Sequence, residues 1–324
     1  MTDLTNKTVL ITGSAGFLGK HLVPLFEGKC DLILPTHEDC DLTLQNVCEL
    51  VIATYRPQIV INLAANVGGI GYNKQNPASL FYDNAMIGIN LIHASYKARV
   101  DKFVQIGTIC AYPKITPVPF KEENLWDGYP EETNSSYGLA KKMLLVMLQA
   151  YRKQYEMNGI YLLPVNLYGP GDNFNPKSSH VIPSLIRKFI EAKEKQLKEV
   201  EIWGTGKPTR EFLYVKDAAE GIYQATLNYN KPDPVNLGSG MEISIMDLAE
   251  MIKELIKFEG NIVFNPSKPD GQPRRSLDVS KAKEEFGFSA KTDFNEGLKK
   301  TIDWYLENKK SIEYYENLRS HSIN

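Results

Sequence analysis

The chain has 324 residues, 43% of them hydrophobic, 10% aromatic and 23% charged, which is the balance of a globular protein with a large core and excludes global disorder. Lys plus Arg total 37 against 39 for Asp plus Glu, a formal net charge of -2, so no long-range positive field exists to collect nucleic acid. No apolar run approaches the roughly 18 residues that a membrane helix needs, and the polar stretch from Met1 to Lys7 does not resemble an export signal.

Residues 8–12, TVLIT, form a short β-branched run ending in glycine, and Gly19 to about Glu27 reads as the helix that follows. DLILP (31–35) is a second strand, Gln45 to Tyr55 an amphipathic helix, and IVINLAA (59–65) a third strand with the near-continuous apolar character of one buried on both faces. A helix over Asn84 to Arg99, a strand FVQIG (103–107), a long helix over Tyr137 to Tyr155 and a strand YLLPVNL (161–167) continue the alternation. This pattern predicts an α/β fold, a Rossmann-type doubly wound parallel sheet over residues 1–168. Beyond Tyr168 comes a Gly/Asn/Pro/Ser-rich loop (169–179), then a charged helix over Ile182 to Lys198 and strands at Glu199 to Trp203 and Val235 to Leu237. Helices over Ser244 to Lys257, Ser280 to Phe286 and Phe294 to Glu307 follow. We read 169–310 as a smaller mixed α/β substrate-binding domain, a segment near 210–240 as completing the first domain, and 311–324 as a polar tail.

The four cysteines, Cys30, Cys40, Cys48 and Cys110, are too few and too irregular for a disulfide framework, which points to a reducing, cytoplasmic setting. His21, His37, His93, His180 and His321 form no metal-binding spacing, so no metal is expected.

Gly13, Ser14, Ala15, Gly16, Phe17, Leu18 and Gly19 spell GxxGxxG between the first strand and the first helix. Glycines there let the backbone turn tightly and approach a pyrophosphate, whose charge the free N–H groups of the helix N-terminus favour. A bare turn explains such a triplet elsewhere in a chain, less so at the first βα junction. Pro35-Thr36-His37-Glu38-Asp39, at the end of the second strand, does not choose between NAD(H) and NADP(H). Asp41 and Leu42 lie where an adenine amino group could be met, although a helix N-cap accounts for Asp41 equally well. Tyr137 and Lys141 form YxxxK at the start of a long helix, where both side chains share one face. A lysine ammonium beside a phenol of ordinary pKa ~10 favours the phenolate and moves the tyrosine toward acid/base work. Thr108 closes the fourth strand at the carboxyl edge of the sheet and supplies a second hydroxyl.

Together these residues resemble the extended short-chain dehydrogenase/reductase family, in which a Ser or Thr, a Tyr and a Lys act beside a nicotinamide dinucleotide. Further blocks resemble the GDP-L-fucose synthase branch of that family: Ala64 to Ile70 (AANVGGI), Gly107 to Lys114 (GTICAYPK), Asn166 to Pro170 (NLYGP), Ser179 to Pro183 (SHVIP), Trp203 to Pro208 with Arg210-Glu211-Phe212-Leu213, and Lys268 to Arg275 (KPDGQPRR). The likeness runs from about Thr8 to Tyr305. It implies NADP(H) as cofactor and a GDP-linked keto-deoxysugar as substrate, epimerised at C3 and C5 and reduced at C4. It implies Cys110 as the base and His180 as the acid of the epimerisation. Ala64, Ala65, Ile106, Gly107, Thr108, Lys141, Pro164, Asn166, Leu167 and His180 are implied at the cofactor, with the glycine loop, Asp41 and Leu42. Lys188, Trp203, Arg210, Asp270 and Arg275 are implied at the substrate, the cations for a diphosphate and the indole as a flat apolar surface, unless Trp203 packs in the core.

Two departures stand out. Ile109 occupies a position where the synthases commonly have a serine, and the arginines that hold a 2′-phosphate in bacterial members are absent, leaving His37 and Lys20 as candidates. A 4,6-dehydratase would carry a Thr-Asp-Glu set where this chain has Thr108-Ile109-Cys110, whereas a single-function C4 reductase or another nucleotide-sugar epimerase fits most of the same residues. A non-catalytic dinucleotide sensor is disfavoured by the presence of both Tyr137 and Lys141. A homodimer is implied through the helices over 84–99 and 137–155, with Met143, Leu144, Met147 and Leu148 serving either that interface or the core.

Overall fold

The computed structural model describes residues 2–321 apart from Pro269, with side chains described as far as Glu316. The first half alternates strands with helices, two of them between the third and fourth strands: β1 (Thr8–Thr12), α1 (Gly19–Phe26), β2 (Asp31–Ile33), α2 (Gln45–Tyr55), β3 (Ile59–Asn62), α3 (Ile70–Gln75), α4 (Pro77–Lys97), β4 (Lys102–Ile106), α5 (Ser135–Tyr155) and β5 (Gly159–Pro164). There follow β6 (Asn166–Tyr168), α6 (Val181–Glu194), β7 (Glu199–Trp203), β8 (Thr209–Tyr214), α7 (Val215–Asn228) and β9 (Val235–Leu237). Last come β10 (Glu242–Ser244), α8 (Ile245–Ile256), β11 (Asn261–Asn265), β12 (Arg274–Arg275), α9 (Ser280–Phe286) and α10 (Phe294–His321).

Six parallel strands form the main sheet in the order β2-β1-β3-β4-β5-β9. The chain steps from β1 outward to β2 and then back across to β3, so a crevice opens beyond the carboxyl ends of β1 and β3. β3, β4 and β5 are buried along their whole length, as strands covered by helices on both faces must be. A second assembly is built on β8, which pairs with β6 and β12 in parallel and with β10 in antiparallel fashion, while β7 pairs with β11. Two apolar cores result, and β8 serves both: Leu213 faces the first, Phe212 and Tyr214 the second.

Several elements differ from the sequence expectation for identifiable reasons. The apolar run over 161–167 is not one strand. It breaks at Val165, where the chain leaves the main sheet as β5 and joins β8 as β6. The third strand stops at Asn62, and Leu63 to Ala65 turn into the wall of the crevice. The helix expected from Asn84 begins at Pro77, a residue suited to a first helical position, and Asn84 lies buried inside it, donating to the carbonyls of Leu80 and Asn66. Helix α10 continues to His321 through most of the stretch read as a polar tail, with residues 322–324 outside the described residues. Leu144 and Leu148 are core residues, whereas Met143 and Met147 are only partly buried and Val146 is exposed. Among the described residues no helix is long and apolar enough to cross a membrane.

One buried cation ties the main sheet to α7. Lys102, 2% exposed at the start of β4, donates to the carbonyls of Ala225, Thr226 and Tyr229 at that helix's end. Burial, with the Arg152 charge nearby, pushes its ammonium down to about 7. Replacing Lys102 by Met removes the donor shared by the Thr226 and Tyr229 carbonyls, and urea unfolding is expected to register a loss of about 2–4 kcal/mol. An unchanged midpoint would refute this capping role.

Candidate active site

The carboxyl edge of the main sheet and the β8 assembly enclose a cleft of about 1400 Å³. Its upper end is the turn after β1. Gly13 has φ +68°, and a Cβ there would stand 2.8 Å from the backbone nitrogen of Ala64. At Gly19 a Cβ would stand 2.4 Å from the carbonyl oxygens of both Gly13 and Ser14. Glycine at both positions lets α1 begin hard against the strand end, presenting its N-terminus to the cleft, and that cradle fits a dinucleotide pyrophosphate. His21 steadies the turn through Nε2, 2.8 Å from the carbonyl oxygen of Pro170.

Gly13, Ala15, Gly16, Phe17, Leu18 and Gly19 line this end of the cleft, but Ser14 is buried and forms no part of the wall. Asp41 and Leu42 line it beside Pro35, Thr36 and His37, whereas Lys20 is not among the lining residues. One Asp41 oxygen is taken by the N–H and hydroxyl of Thr43, in a turn preceding α2 rather than as its N-cap. Ala64 and Ala65, then Ile106 and Gly107, then Pro164, Asn166 and Leu167 carry the wall along the strand ends.

Thr108, Cys110, Tyr137, Lys141 and His180 meet at the middle of the cleft. Thr108 leads into a short 3₁₀ turn (Ile109–Ala111) and its hydroxyl accepts the N–H of Cys110 at 3.1 Å. The first turn of α5 lies directly on that turn: a Cβ at Gly138 would stand 2.2 Å from the carbonyl oxygen of Cys110. Tyr137 thereby meets Thr108. Burial raises the phenol above its ordinary value, the Cys110 thiol adds to the rise, and the Thr108 hydroxyl partly offsets it. This corrects the expectation of a lysine-favoured phenolate. Lys141 lies 6.0 Å from the phenol ring centre, and its own ammonium is pushed down to about 8 by burial, with no anion to offset it.

His180 occupies the N-cap position of α6 without making a capping hydrogen bond. Its ring opens onto the cleft, yet the protein packed around it and the charge of Arg275 hold it below the ordinary histidine value. Arg275 in turn donates to the sulfur of Cys110 at 3.3 Å.

At the lower end, Arg275 and Arg210 are direct neighbours across β12 and β8. Like charges facing one another cost stability unless an anion lies between them. Burial and the Arg275 charge lower Arg210 to about 10, which leaves it cationic, and the Nε of Arg275 is buried without a partner. Trp203 is 56% exposed, which rules out core packing, and the ammonium groups of Lys188 and Lys268 lie 5.8 and 5.3 Å from its ring centre. Asp270 lines the cleft, but its carboxylate accepts the N–H and hydroxyl of Thr205, at 2.6 and 2.8 Å, and so fastens the loop after Trp203.

Residues 9–238 match the NAD dependent epimerase/dehydratase family. The chain belongs to that family. Among its members, GDP-L-fucose synthase 1 of Arabidopsis thaliana is 41% identical over 310 residues, which is 95% of each protein. In structure the chain is similar to a GDP-6-OMe-4-keto-L-xylo-heptose reductase from C. jejuni, with TM-score 0.89 and 32% identity over 95% of this chain and 99% of that one. It is also similar to a GDP-L-fucose synthetase from Naegleria fowleri bound to NADP, with TM-score 0.87 and 30% identity over 96% and 97%.

The family resemblance does not single out Glu211, and neither does periodicity. This fully buried carboxylate accepts the N–H groups of Ser239, Gly240 and Leu277 and the hydroxyl of Ser276, fixing the backbone on either side of Arg210 and just after Arg275. Nor does the sequence single out Asn73, Asn134 and Glu131, which also line the cleft. Asn73 meets Asn134 across 61 residues of chain, and no spacing announces that contact.

Lys141 makes a thermodynamic prediction. Its folded value of about 8 lies below the ordinary 10.5, so folding penalises its charge. That penalty is full below about pH 8 and disappears toward pH 10.5. Lys141→Met, without nucleotide, is expected to unfold on the order of 3 kcal/mol later than the parent at pH 7, with the gap closing by pH 10. Urea titrations at the two pH values decide the matter, and a less stable variant at pH 7 sinks it.

Proposed function

We propose that this enzyme converts GDP-4-keto-6-deoxy-D-mannose to GDP-L-fucose or a closely related GDP-deoxysugar, by epimerisation at C3 and C5 followed by NADP(H)-dependent reduction at C4. The observation that carries the reading is the cysteine sulfur, with the Arg275 guanidinium on it, in the same cleft as Tyr137, Lys141 and His180. The GDP-L-fucose synthase relative and the NADP-bound neighbour support it.

The glycine turn after β1 would hold the dinucleotide's pyrophosphate, with Asp41 and Leu42 at the adenine, the strand ends from Ala64 to Leu167 along its length, and Lys141 at a ribose. When bound, it supplies the hydride for C4. We assign the lower end of the cleft to the nucleotide sugar, with Arg210 and Arg275 on its diphosphate and Trp203 with Lys188 against its base. On this assignment Asp270 acts through Thr205 on the loop that carries Trp203.

Epimerisation removes a proton from a carbon beside the C4 ketone and returns one on the opposite face. Cys110 takes the proton, the electron pair of the broken C–H bond moves toward the C4 oxygen, and the hydroxyls of Thr108 and Tyr137 stabilise the enolate. The cationic Arg275 accompanies the sulfur through this step. His180 delivers the new proton, and its low pKa makes its protonated form a willing donor. Once C3 and C5 are set, Tyr137 completes the reduction by giving its proton to the oxygen left at C4. Burial keeps that phenol protonated at neutral pH, as a donor requires.

A single-function C4 reductase is the second reading, supported by the likeness to the C. jejuni heptose reductase and by Ile109, which puts an alkyl group next to Cys110. We also propose a cytoplasmic homodimer. Its four cysteines are free, and α4 and α5 expose Phe81, Tyr82 and Val146. Sedimentation is expected to give a dimer for the parent and a monomer for Val146→Asp, and a monomeric parent rejects the pairing.

The chemistry is tested with GDP-4-keto-6-deoxymannose and NADPH or NADH in deuterated water, with NMR of the product. Deuterium at C3 and C5 with net oxidation of NADPH is the expected result, and Cys110→Ser should lose about 100-fold or more of the deuterium incorporation. Reduction without deuterium at either carbon leaves the single-function reading standing.

A further inference from the structure

A chain of three side chains crosses the cleft wall beside Tyr137. Glu131 accepts at Oε2 from the amide nitrogen of Asn134, at 2.9 Å. Asn134 in turn accepts at Oδ1 from the amide nitrogen of Asn73, also at 2.9 Å. A carboxylate only accepts, so Glu131 fixes which way the Asn134 amide faces, and Asn134 fixes Asn73. The chain therefore has a direction and ends in an acceptor. That terminal oxygen, Oδ1 of Asn73, is buried and has no partner, on a residue that is 4% exposed and lines the cleft. A buried acceptor left unpaired costs about 1–3 kcal/mol, a cost that any arriving donor recovers.

The position suits a sugar. Asn134 is the N-cap of α5, three residues before Tyr137. Asn73 lies on α3, its N–H bonded to the carbonyl of Gly69, and the N–H of Gly69 is bonded to the carbonyl of Ser178, close to His180. Asn73 is thus tied by hydrogen bonds to the N-cap of α5 on one side and, through Gly69, to the segment before His180 on the other. Segment α3 has room to uncover it, since nothing lies within 4 Å of a Cβ built at Gly71 and Ile70 is 46% exposed.

We propose that Asn73 is a specificity-determining residue whose Oδ1 accepts a hydrogen bond from a hydroxyl of the substrate's sugar ring, with Glu131 and Asn134 as positioning residues that hold it in that sense. The inference rests on the keto-sugar reading above and names the part of the site that reads the ring. An acceptor on an amide demands a donor, so a ring that carries hydrogen or an ether oxygen at the matched carbon is discriminated against.

The test compares the parent, Asn73→Ala and Glu131→Gln on GDP-4-keto-6-deoxymannose and on its analogues lacking the C2 or the C3 hydroxyl. Binding of GDP and NADPH and the thermal midpoint are measured beside activity, to separate loss of recognition from loss of fold. The parent is expected to prefer the full substrate over one analogue by about 10- to 100-fold in kcat/KM, with Asn73→Ala treating the two alike and binding GDP and NADPH as the parent does. Glu131→Gln, which no longer dictates the direction of the chain, should keep only part of the preference. If Asn73→Ala discriminates between substrate and both analogues as strongly as the parent, the inference is overturned. A parent inactive on the full substrate overturns instead the reading on which it rests.

Discussion

The first turn of α5 rests on the 3₁₀ turn after β4 at a distance that only a glycine allows, since any Cβ at position 138 would meet the carbonyl of Cys110. Much of the cleft follows from that contact. It brings the Tyr137 phenol to Thr108, holds the Cys110 sulfur near both, and carries Lys141, one turn further along the same face, into a buried position with no anion beside it. Lys102 and Lys141, both buried, consequently play opposite parts. Lys102 has three carbonyls at the end of a helix and holds the fold together, whereas Lys141 is a charge that folding opposes and that the site retains.

The lower half of the cleft depends on a second enforced proximity. Register between β8 and β12 sets Arg210 opposite Arg275, an arrangement that is unfavourable for a protein with nothing to bind there. Glu211, next to Arg210 in sequence, does not neutralise the pair. Its oxygens are spent on four backbone and hydroxyl donors, and its own carboxyl is raised by burial. It works by holding backbone, so that the guanidinium groups keep their places without a carboxylate bridging them.

Much of the fold was legible because its signals are local. The β-branched runs, the glycine turn and the YxxxK spacing each report their own surroundings, and the parallel sheet and the Gly13 cradle lie where those signals put them. What escaped is non-local. The break at Val165 is invisible in an apolar run, because the partner that draws the second half away is β8, some forty-five residues on. Pro77 starts its helix seven residues before the expected Asn84, and Asn84 is an interior residue that donates to the carbonyls of Leu80 and Asn66. Within the site, motifs indicated which residues face the cleft but not their electrostatics. Spacing alone suggested a phenolate at Tyr137, and only the depth of burial reverses it.

The crossing at Val165 bears on how ligands enter and leave. The chain passes between the two cores there within one residue, and again where β8 runs without a loop into α7. Val165 is itself buried, and its N–H is bonded to the carbonyl of Leu237 at 2.9 Å. Joints so short and so well anchored are poor hinges, because parting the cores would tear ladder hydrogen bonds on both sides of the joint. One backbone hydrogen bond, from the N–H of Gly69 to the carbonyl of Ser178, adds a further tie across the cleft. The protein is therefore built less like a pair of closing jaws than like a vault whose two walls keep their spacing.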